Sequence, residues 1–429
     1  MNIADAIAGH ARTRPDHPAI EDGERIVSYA ELNDLVTRCA ANLHEAGIGA
    51  GDVVGVMLPD SADHTAILYA LAKLGAISVS INSRWTLKER EQVVAGIGVK
   101  AIITGPRAAK FAKATMLDAK DIVHRTVINK SASEDLKTHL PFDENKPLMV
   151  GQSSGTTGVP KCFYWSHVDV RKSGSMLAAY LGLTSTDRYL QVPSITFFTG
   201  SRRCIMMHCL GATVVINRAR TGEQFLAGLI KDKISFTTLT PAHLRPLLAS
   251  TSGSTEPLLT NTKIIIVSAP LKHAQRLCAR KQLTPNVIES YGTNEIGPIT
   301  FAGPEDQDAY PDSVGRIVEG MDAQVVDESD TPLPTGEVGL VRFRGAVFPA
   351  GYLNAPEATA RSFRNGWFYP GDLAALNEEG YLFYKGRADD VINNEGVKFY
   401  PIEVEMYSWN IPLSRKRPSS AGLMHNSVK

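Results

Sequence analysis

Apolar residues along the first hundred positions recur with two alternating periods. In YAELNDLVTRCAANLHEAGI, Leu32, Val36, Ala40 and Leu43 fall at helical spacing and Gly47 closes the segment, which predicts a helix. DVVGVML then predicts a short buried strand, AILYALAKLG a helix and ISVSI the next strand. Strand, helix, strand at this rhythm implies parallel βαβ units. The alternation returns in GATVVI, SFTTLT, TKIIIVSA and NVIESYG, each preceded by a helical stretch. From about Ser313 the pattern changes. VGRIVEG, DAQVVDE and GEVGLVRFRG read as short strands between Gly, Pro and Asp turns, which suits a small antiparallel β unit over about 313–388. Charged and turn-forming residues cluster in GRADD, 386–390, and mark a further boundary.

Composition narrows the function classes. A chain of 429 residues exceeds one ordinary domain, and 43% hydrophobic with 21% charged residues is the balance of a soluble globular protein. Lysine plus arginine (45) equals aspartate plus glutamate (45), so no large field favours nucleic acid or an anionic membrane. The five cysteines, Cys39, Cys162, Cys204, Cys209 and Cys278, are scattered and odd in number, which fits a reducing cytoplasm better than a disulfide framework. Cys204, His208 and Cys209 lie close together, but no second pair of ligands stands at zinc-finger spacing. The N-terminal MNIADAIAGHARTRP has early polar residues and does not read as a signal peptide. The most apolar run, AILYALAKLGAISVSI, is broken by Lys73 and Gly75 and is unsuited to spanning a bilayer.

Candidate chemistry concentrates first in QSSGTTGVPK, 152–161. Glycines let backbone N–H groups converge, and hydroxyls with a lysine add donors, so the stretch reads as a phosphate cradle. It is not a Walker A loop: Lys161 follows Pro160 and precedes Cys162, so the hydroxyl that would meet magnesium is absent. A Ser/Thr-rich surface turn is the plain alternative.

The cradle has company. SSGTTGVPK with Ser166 and His167, then YGTNE (291–295), GWFYPGD ending at Asp372, and GRADDVINNEGVKFYPIEVE (386–405) occur in one order. In these motifs the chain, from Ile3 to Glu405, resembles the adenylate-forming superfamily of acyl-CoA synthetases, peptide-synthetase adenylation domains and luciferases. The resemblance implies an AMP-binding N-terminal domain, 1–388, with two mostly parallel sheets flanked by helices and a small β unit. It implies a hinge and the start of a C-terminal subdomain over 389–405, and a largely missing remainder. The activity implied is ATP-dependent conversion of a small-molecule carboxylic acid to an acyl-adenylate, with Mg²⁺, and then to a thioester with CoA. An acyl-AMP ligase serving a carrier protein, or a protein that only binds nucleotide, are the other readings. The sequence does not set the oligomeric state, and a homodimer is left open.

Residue roles follow from the same resemblance. Ser153, Ser154, Thr156, Thr157 and Lys161 hold the β- and γ-phosphates, with Gly155 and Gly158 allowing close backbone approach. Glu295 coordinates Mg²⁺, a hard cation that prefers oxygen; a solvated surface glutamate is the alternative. Tyr291 stacks on adenine beside Gly292 and Thr293, unless it is a core tyrosine. Asn294 replaces the usual threonine and still offers an amide to the α-phosphate. Asp372 accepts both ribose hydroxyls, since a carboxylate is acceptor-only, although Pro370 replaces the threonine usual two residues before it. Arg387 contacts ribose or phosphate, or makes a surface salt bridge. For the acid, VPSITFFTG (192–200) supplies Phe197, Phe198 and Gly200, where phenylalanines are as readily plain core. Thr240, Pro241, Ala242 and Ser268-Ala269-Pro270 stand where relatives line the pocket, and His243 reads as structural. The pattern does not choose between a fatty and an aryl acid.

The hinge matches at Asp389, and Lys398 stands where relatives place a basic residue. MYSWNIPLSRKRPSSAGLMHNSVK, 406–429, does not resemble the segment that carries the family's late lysine, and its composition reads as disordered. A frameshift at Glu405/Met406 would account for the change, since suitably chosen codons read one nucleotide earlier give a family-like continuation. The expectation for such a product is nucleotide binding with weak or no adenylation and no efficient thioester formation.

Overall fold

The computed structural model describes residues 1–83, 85–105, 114–125, 142–153 and 160–390, and the backbone of 392–394 and 397–399. Two sheets with helices on their faces make up most of the described chain, so the fold class is α/β. One sheet has the strand order Val287–Glu289, Lys263–Ile266, Phe236–Leu239, Arg188–Gln191, Thr213–Ile216, Pro18–Asp22, Arg25–Ser28. All its pairings are parallel except the last, the hairpin at its edge. The second has the order Thr115–Asp118, Ala101–Thr104, Val53–Met57, Ile77–Ser80, Pro147–Ser153, Lys161–Ser166, again parallel up to a final antiparallel pair. A third, antiparallel sheet is built from strands between Asp322 and Arg387.

The apolar periods account for these elements. Tyr29–Glu45 forms the helix expected from Leu32, Val36, Ala40 and Leu43, capped by Ser28 and Glu31 in a capping box; Gly47 turns the chain beyond it with φ +83°. Helices Phe198–Leu210, Gly222–Lys231, Pro241–Ser250 and His273–Gln282 precede the strands Thr213–Ile216, Phe236–Leu239, Lys263–Ile266 and Val287–Glu289 of the first sheet, as the alternation implies. VGRIVEG keeps only Arg316–Ile317 as strand, because Gly315 and Gly320 on either side both turn with positive φ. Among the described residues no helix is long and apolar enough to cross a membrane.

Between the sheets, three histidines are buried without charge. His208 donates from Nε2 to the Ala19 carbonyl (3.1 Å) and receives the Tyr69 hydroxyl at Nδ1 (3.1 Å), so neither nitrogen is free for a metal. His64 has no partner at either nitrogen, and His167 accepts the Ile3 N–H at Nδ1. Burial lowers all three to about 4 from an ordinary 6.5. The unfolded chain therefore takes up protons first as pH falls, and each histidine draws stability away between pH 6.5 and about 4. Thermal unfolding followed from pH 7.5 to 4 should show a midpoint that declines most steeply below pH 6.5. A midpoint unchanged across that window would show that these rings are not held neutral.

Candidate active site

The two strands Pro147–Ser153 and Lys161–Ser166 pair antiparallel, with Ser153 opposite Lys161. The cradle is therefore a hairpin connection whose two ends stand side by side at the edge of the second sheet. Ser154, Gly155, Thr156, Thr157 and Gly158 lie outside the described residues, as do Lys398's side chain and the tail. Ser166 closes the following strand by capping the helix His167–Leu181 with Asp169, and His167 is core.

Glu295 is not a solvated surface residue: it is 5% exposed. Its Oε1 accepts the Tyr352 hydroxyl at 2.8 Å, and Lys161 Nζ stands over the Tyr352 ring, 5.1 Å from its centroid. Trp165 Nε1 donates to the Glu295 carbonyl at 2.8 Å, so the carboxylate is fixed at both side chain and backbone. Asn294 Nδ2 donates to the Gln152 carbonyl (2.7 Å), tying the YGTNE turn to the root of the cradle and leaving the amide one further N–H.

The third sheet brings Asp372 and Arg387 together across paired strands. Asp372 is buried, and both its oxygens are engaged: Oδ2 accepts the Tyr291 hydroxyl (2.5 Å) and Oδ1 the Arg387 guanidinium (3.0 Å). Each carboxylate oxygen keeps a second lone pair, so two vicinal hydroxyls remain acceptable ligands. Burial pushes the Asp372 carboxyl up, while Tyr291 and Arg387 pull it back. Tyr291 is half-buried, with Tyr384 and Phe343 at 5.7 and 6.1 Å between ring centroids, so it is neither plain core nor free. Arg387 does make a half-exposed ion pair, and its partner is Asp372.

A cavity of about 820 Å³ opens beside these groups. Ser153, Pro160 and Asn294 line it at one side; Phe197, Phe198, Trp85 and Met149 give it apolar walls. Phe198 is also packed edge-on against Phe163 and Trp165, so it serves core and wall at once. Ser268 lines the cavity in the left-handed region, φ +75°, a strained position for a residue with a Cβ. Ala269 and Pro270 are exposed and take no part in the wall. Their expected role is corrected: the left-handed turn at Ser268 carries the next residues away from the cavity. Thr240 lines it as expected, and His243, read as structural, does both: it caps its own helix through Thr240 and faces the cavity.

Gly200 stands behind the wall, where a Cβ would strike the Ser194 and Pro193 carbonyls. That loop is anchored by Asp60, whose Oδ1 accepts Ser194 Oγ (2.7 Å) and the Ile195 N–H (2.9 Å). Gly200→Ala is expected to cost about 3 kcal/mol or to displace Phe197 and Phe198. Gly9→Ala, in open space on the helix Ile3–Thr13, should be neutral or stabilising. Thermal unfolding of the two variants compares them directly; equal midpoints would contradict the close packing at Gly200.

Mg²⁺ fits this site in one way. Among the described residues no group of three His, Cys, Asp or Glu could hold a metal, and Mg²⁺ commonly binds one or two carboxylates with phosphate oxygens and water. Glu295 is the buried carboxylate next to the cradle that meets that requirement. Tyr352 escaped the sequence reading; its only signal was the Gly-Tyr of AGYLNAPEAT, where Gly351 takes φ +138° against Thr359.

With the geometry in place, comparison with known proteins is informative. The AMP-binding enzyme family model matches residues 7–353. A long-chain-fatty-acid–CoA ligase of Mycobacterium tuberculosis is 27% identical over 401 residues, covering 90% of this chain and 78% of the relative. A 3-hydroxybenzoate–CoA ligase of Aromatoleum is 26% identical over 435 residues, covering 96% and 82%. Among solved structures, O-succinylbenzoate coenzyme A synthetase from Bacillus subtilis, in complex with ATP and magnesium ion, superposes with a TM-score of 0.85 at 22% identity, covering 94% of this chain and 84% of that one. At that identity the superposition speaks for the fold.

Proposed function

The chain belongs to the AMP-binding enzyme family, among the adenylate-forming acyl-CoA synthetases, and on that footing we propose that it activates a small-molecule carboxylic acid with ATP in the cavity described. The observation that carries the reading is that Ser153 and Asn294, from two separate motifs, line the same cavity as Phe197 and Phe198.

The chemistry assigns each group a task. An oxygen of the acid attacks the α-phosphorus of ATP, the bond from that phosphorus to the bridging oxygen breaks, and pyrophosphate leaves. Two anions must meet, so fixed donors and a cation are needed where charge gathers. Lys161 supplies the cation beside the cradle, and Asn294 the neutral donor. Glu295 would hold Mg²⁺, which when bound neutralises phosphate charge. Asp372 would accept the ribose hydroxyls, with Tyr291 and Arg387 holding its carboxylate in place. The apolar walls exclude water from the acid, which spares the adenylate from hydrolysis. Attack by the CoA thiolate on the acyl carbon would then release AMP. The relatives' names include both a fatty and an aryl acid ligase, which supports CoA as acceptor and leaves both acid classes on the panel. The proposed setting is the cytoplasm, on the strength of five free cysteines, and a homodimer is the assembly to look for.

The test is pyrophosphate release from ATP and Mg²⁺ against fatty and aryl acids, with CoA, with a carrier protein and with neither. Release that depends on one acid class supports the proposal. ATP binding without release from any acid would overturn it in favour of the nucleotide-binding protein expected if the segment 406–429 stands in place of the one that carries the family's late lysine.

A further inference from the structure

The helix Phe198–Leu210 buries an arginine beside the candidate active site. Arg202 is 6% exposed and makes no ion pair with a described residue. Its guanidinium lies 4.4 Å from the Trp165 ring centroid and 4.8 Å from that of Phe198, two rings that meet edge-on at 84°. Nη1 donates to Ser173 Oγ at 3.3 Å, and Nε is buried without an acceptor. Aromatic faces attract a desolvated cation, which offsets part of the cost of burying it without a carboxylate. An apolar side chain would fill the same space without that cost. Chains break such packing rules chiefly at functional sites.

What Arg202 packs against has a part in the site. Trp165 is fully buried, and its Nε1 donates to the Glu295 carbonyl at 2.8 Å. The turn that presents Asn294 and Glu295 closes a short hairpin, with Thr293 opposite Gly297. Gly297, at φ +85°, rests on the same cluster. A Cβ there would stand 3.0 Å from Ser173 Oγ, 3.2 Å from Arg202 Nη1 and 3.3 Å from the Trp165 ring. Arg202 does not line the cavity. It backs both supports of the turn instead: the indole that holds the Glu295 carbonyl and the floor under Gly297.

We infer that Arg202 is a positioning residue for the Mg²⁺ carboxylate: stacked on Trp165 and set against Gly297, it fixes the turn that carries Asn294 and Glu295. This rests on the adenylation reading, in which Glu295 holds Mg²⁺ against the phosphates of ATP. Groups that orient a metal-binding side chain from behind change metal affinity about 10- to 100-fold when removed. The acid wall depends on Arg202 less, because Phe198 keeps its edge-on contacts with Phe163 and Trp165.

Calorimetric titration of the full chain with ATP, first in EDTA and then across a Mg²⁺ series, tests it alongside the unfolding midpoint. In the wild type Mg²⁺ should tighten ATP binding. Arg202→Met should bind ATP in EDTA as the wild type does and need about tenfold more Mg²⁺ to reach the tightened affinity. Its midpoint should be equal or higher, since an unpaired buried charge has gone. Trp165→Phe keeps a ring for Arg202 but removes the N–H, and should shift the Mg²⁺ dependence in the same direction. Because both act through one turn, the double variant should fall short of the product of the two shifts. Should Arg202→Met not fold, Arg202→Lys, which keeps the charge but not the planar fork, decides in its place by a smaller shift. An unshifted Mg²⁺ dependence in the Arg202 variant would overturn the inference. So would an equal loss of ATP affinity with and without Mg²⁺ at a lowered midpoint, the mark of a purely structural role. A wild type that binds no ATP, or binds it no more tightly with Mg²⁺, would instead overturn the adenylation reading beneath the inference, and the inference with it.

Discussion

Asp372→Ala is expected to weaken ATP binding about 100- to 10,000-fold, because hydrogen bonds to a charged group contribute about 1.5–3 kcal/mol each and two to ribose are lost. The same change strands the Tyr291 hydroxyl and the Arg387 guanidinium, which now meet at this carboxylate. Asp372→Asn keeps the volume and one acceptor oxygen, so a smaller loss of about tenfold is expected. Calorimetric titration with ATP, alongside the unfolding midpoint, separates lost recognition from lost fold. An affinity within threefold of wild type in Asp372→Ala would remove this residue from the nucleotide site.

The second large effect concerns Glu295. Glu295→Gln retains the shape and the bond from Tyr352 but removes the negative charge, and should lower pyrophosphate release about 100- to 1000-fold, the scale seen when one fixed transition-state group is lost. Tyr352→Phe leaves the charge and frees the carboxylate to turn. It should cost about tenfold and shift the dependence on Mg²⁺ to higher concentration, with saturating metal restoring much of the rate. Rates measured across a Mg²⁺ series distinguish the two. A Glu295→Gln enzyme as fast as wild type at every Mg²⁺ concentration would show that the carboxylate has no part in the reaction.

The fold was legible because its signals are local. Periodicity, capping pairs such as Ser28 with Glu31, and strand-ending turns lie within a few residues of one another. Short contiguous motifs likewise exposed Lys161, Glu295 and Asp372. Contacts made across the fold left little trace. Tyr352 reaches Glu295 over 57 positions, and Tyr291 reaches Asp372 over 81. The sequence reading passed over the two arginines of SRRC, yet the helix Phe198–Leu210 buries both, and burial lowers Arg203 to about 10. Ser268 shows the opposite failure: three consecutive residues were expected to share a wall, and a left-handed turn leaves only the first there.

The most direct test of adenylation follows an oxygen atom. An acid labelled with ¹⁸O in its carboxylate is incubated with ATP and Mg²⁺, the acyl group is trapped with hydroxylamine, and the AMP is weighed. If a carboxylate oxygen attacks the α-phosphorus, that oxygen stays on phosphorus when the acyl carbon is attacked, and the AMP carries one ¹⁸O. AMP formed without label would contradict the account, because the phosphorus would have been attacked by something other than the acid.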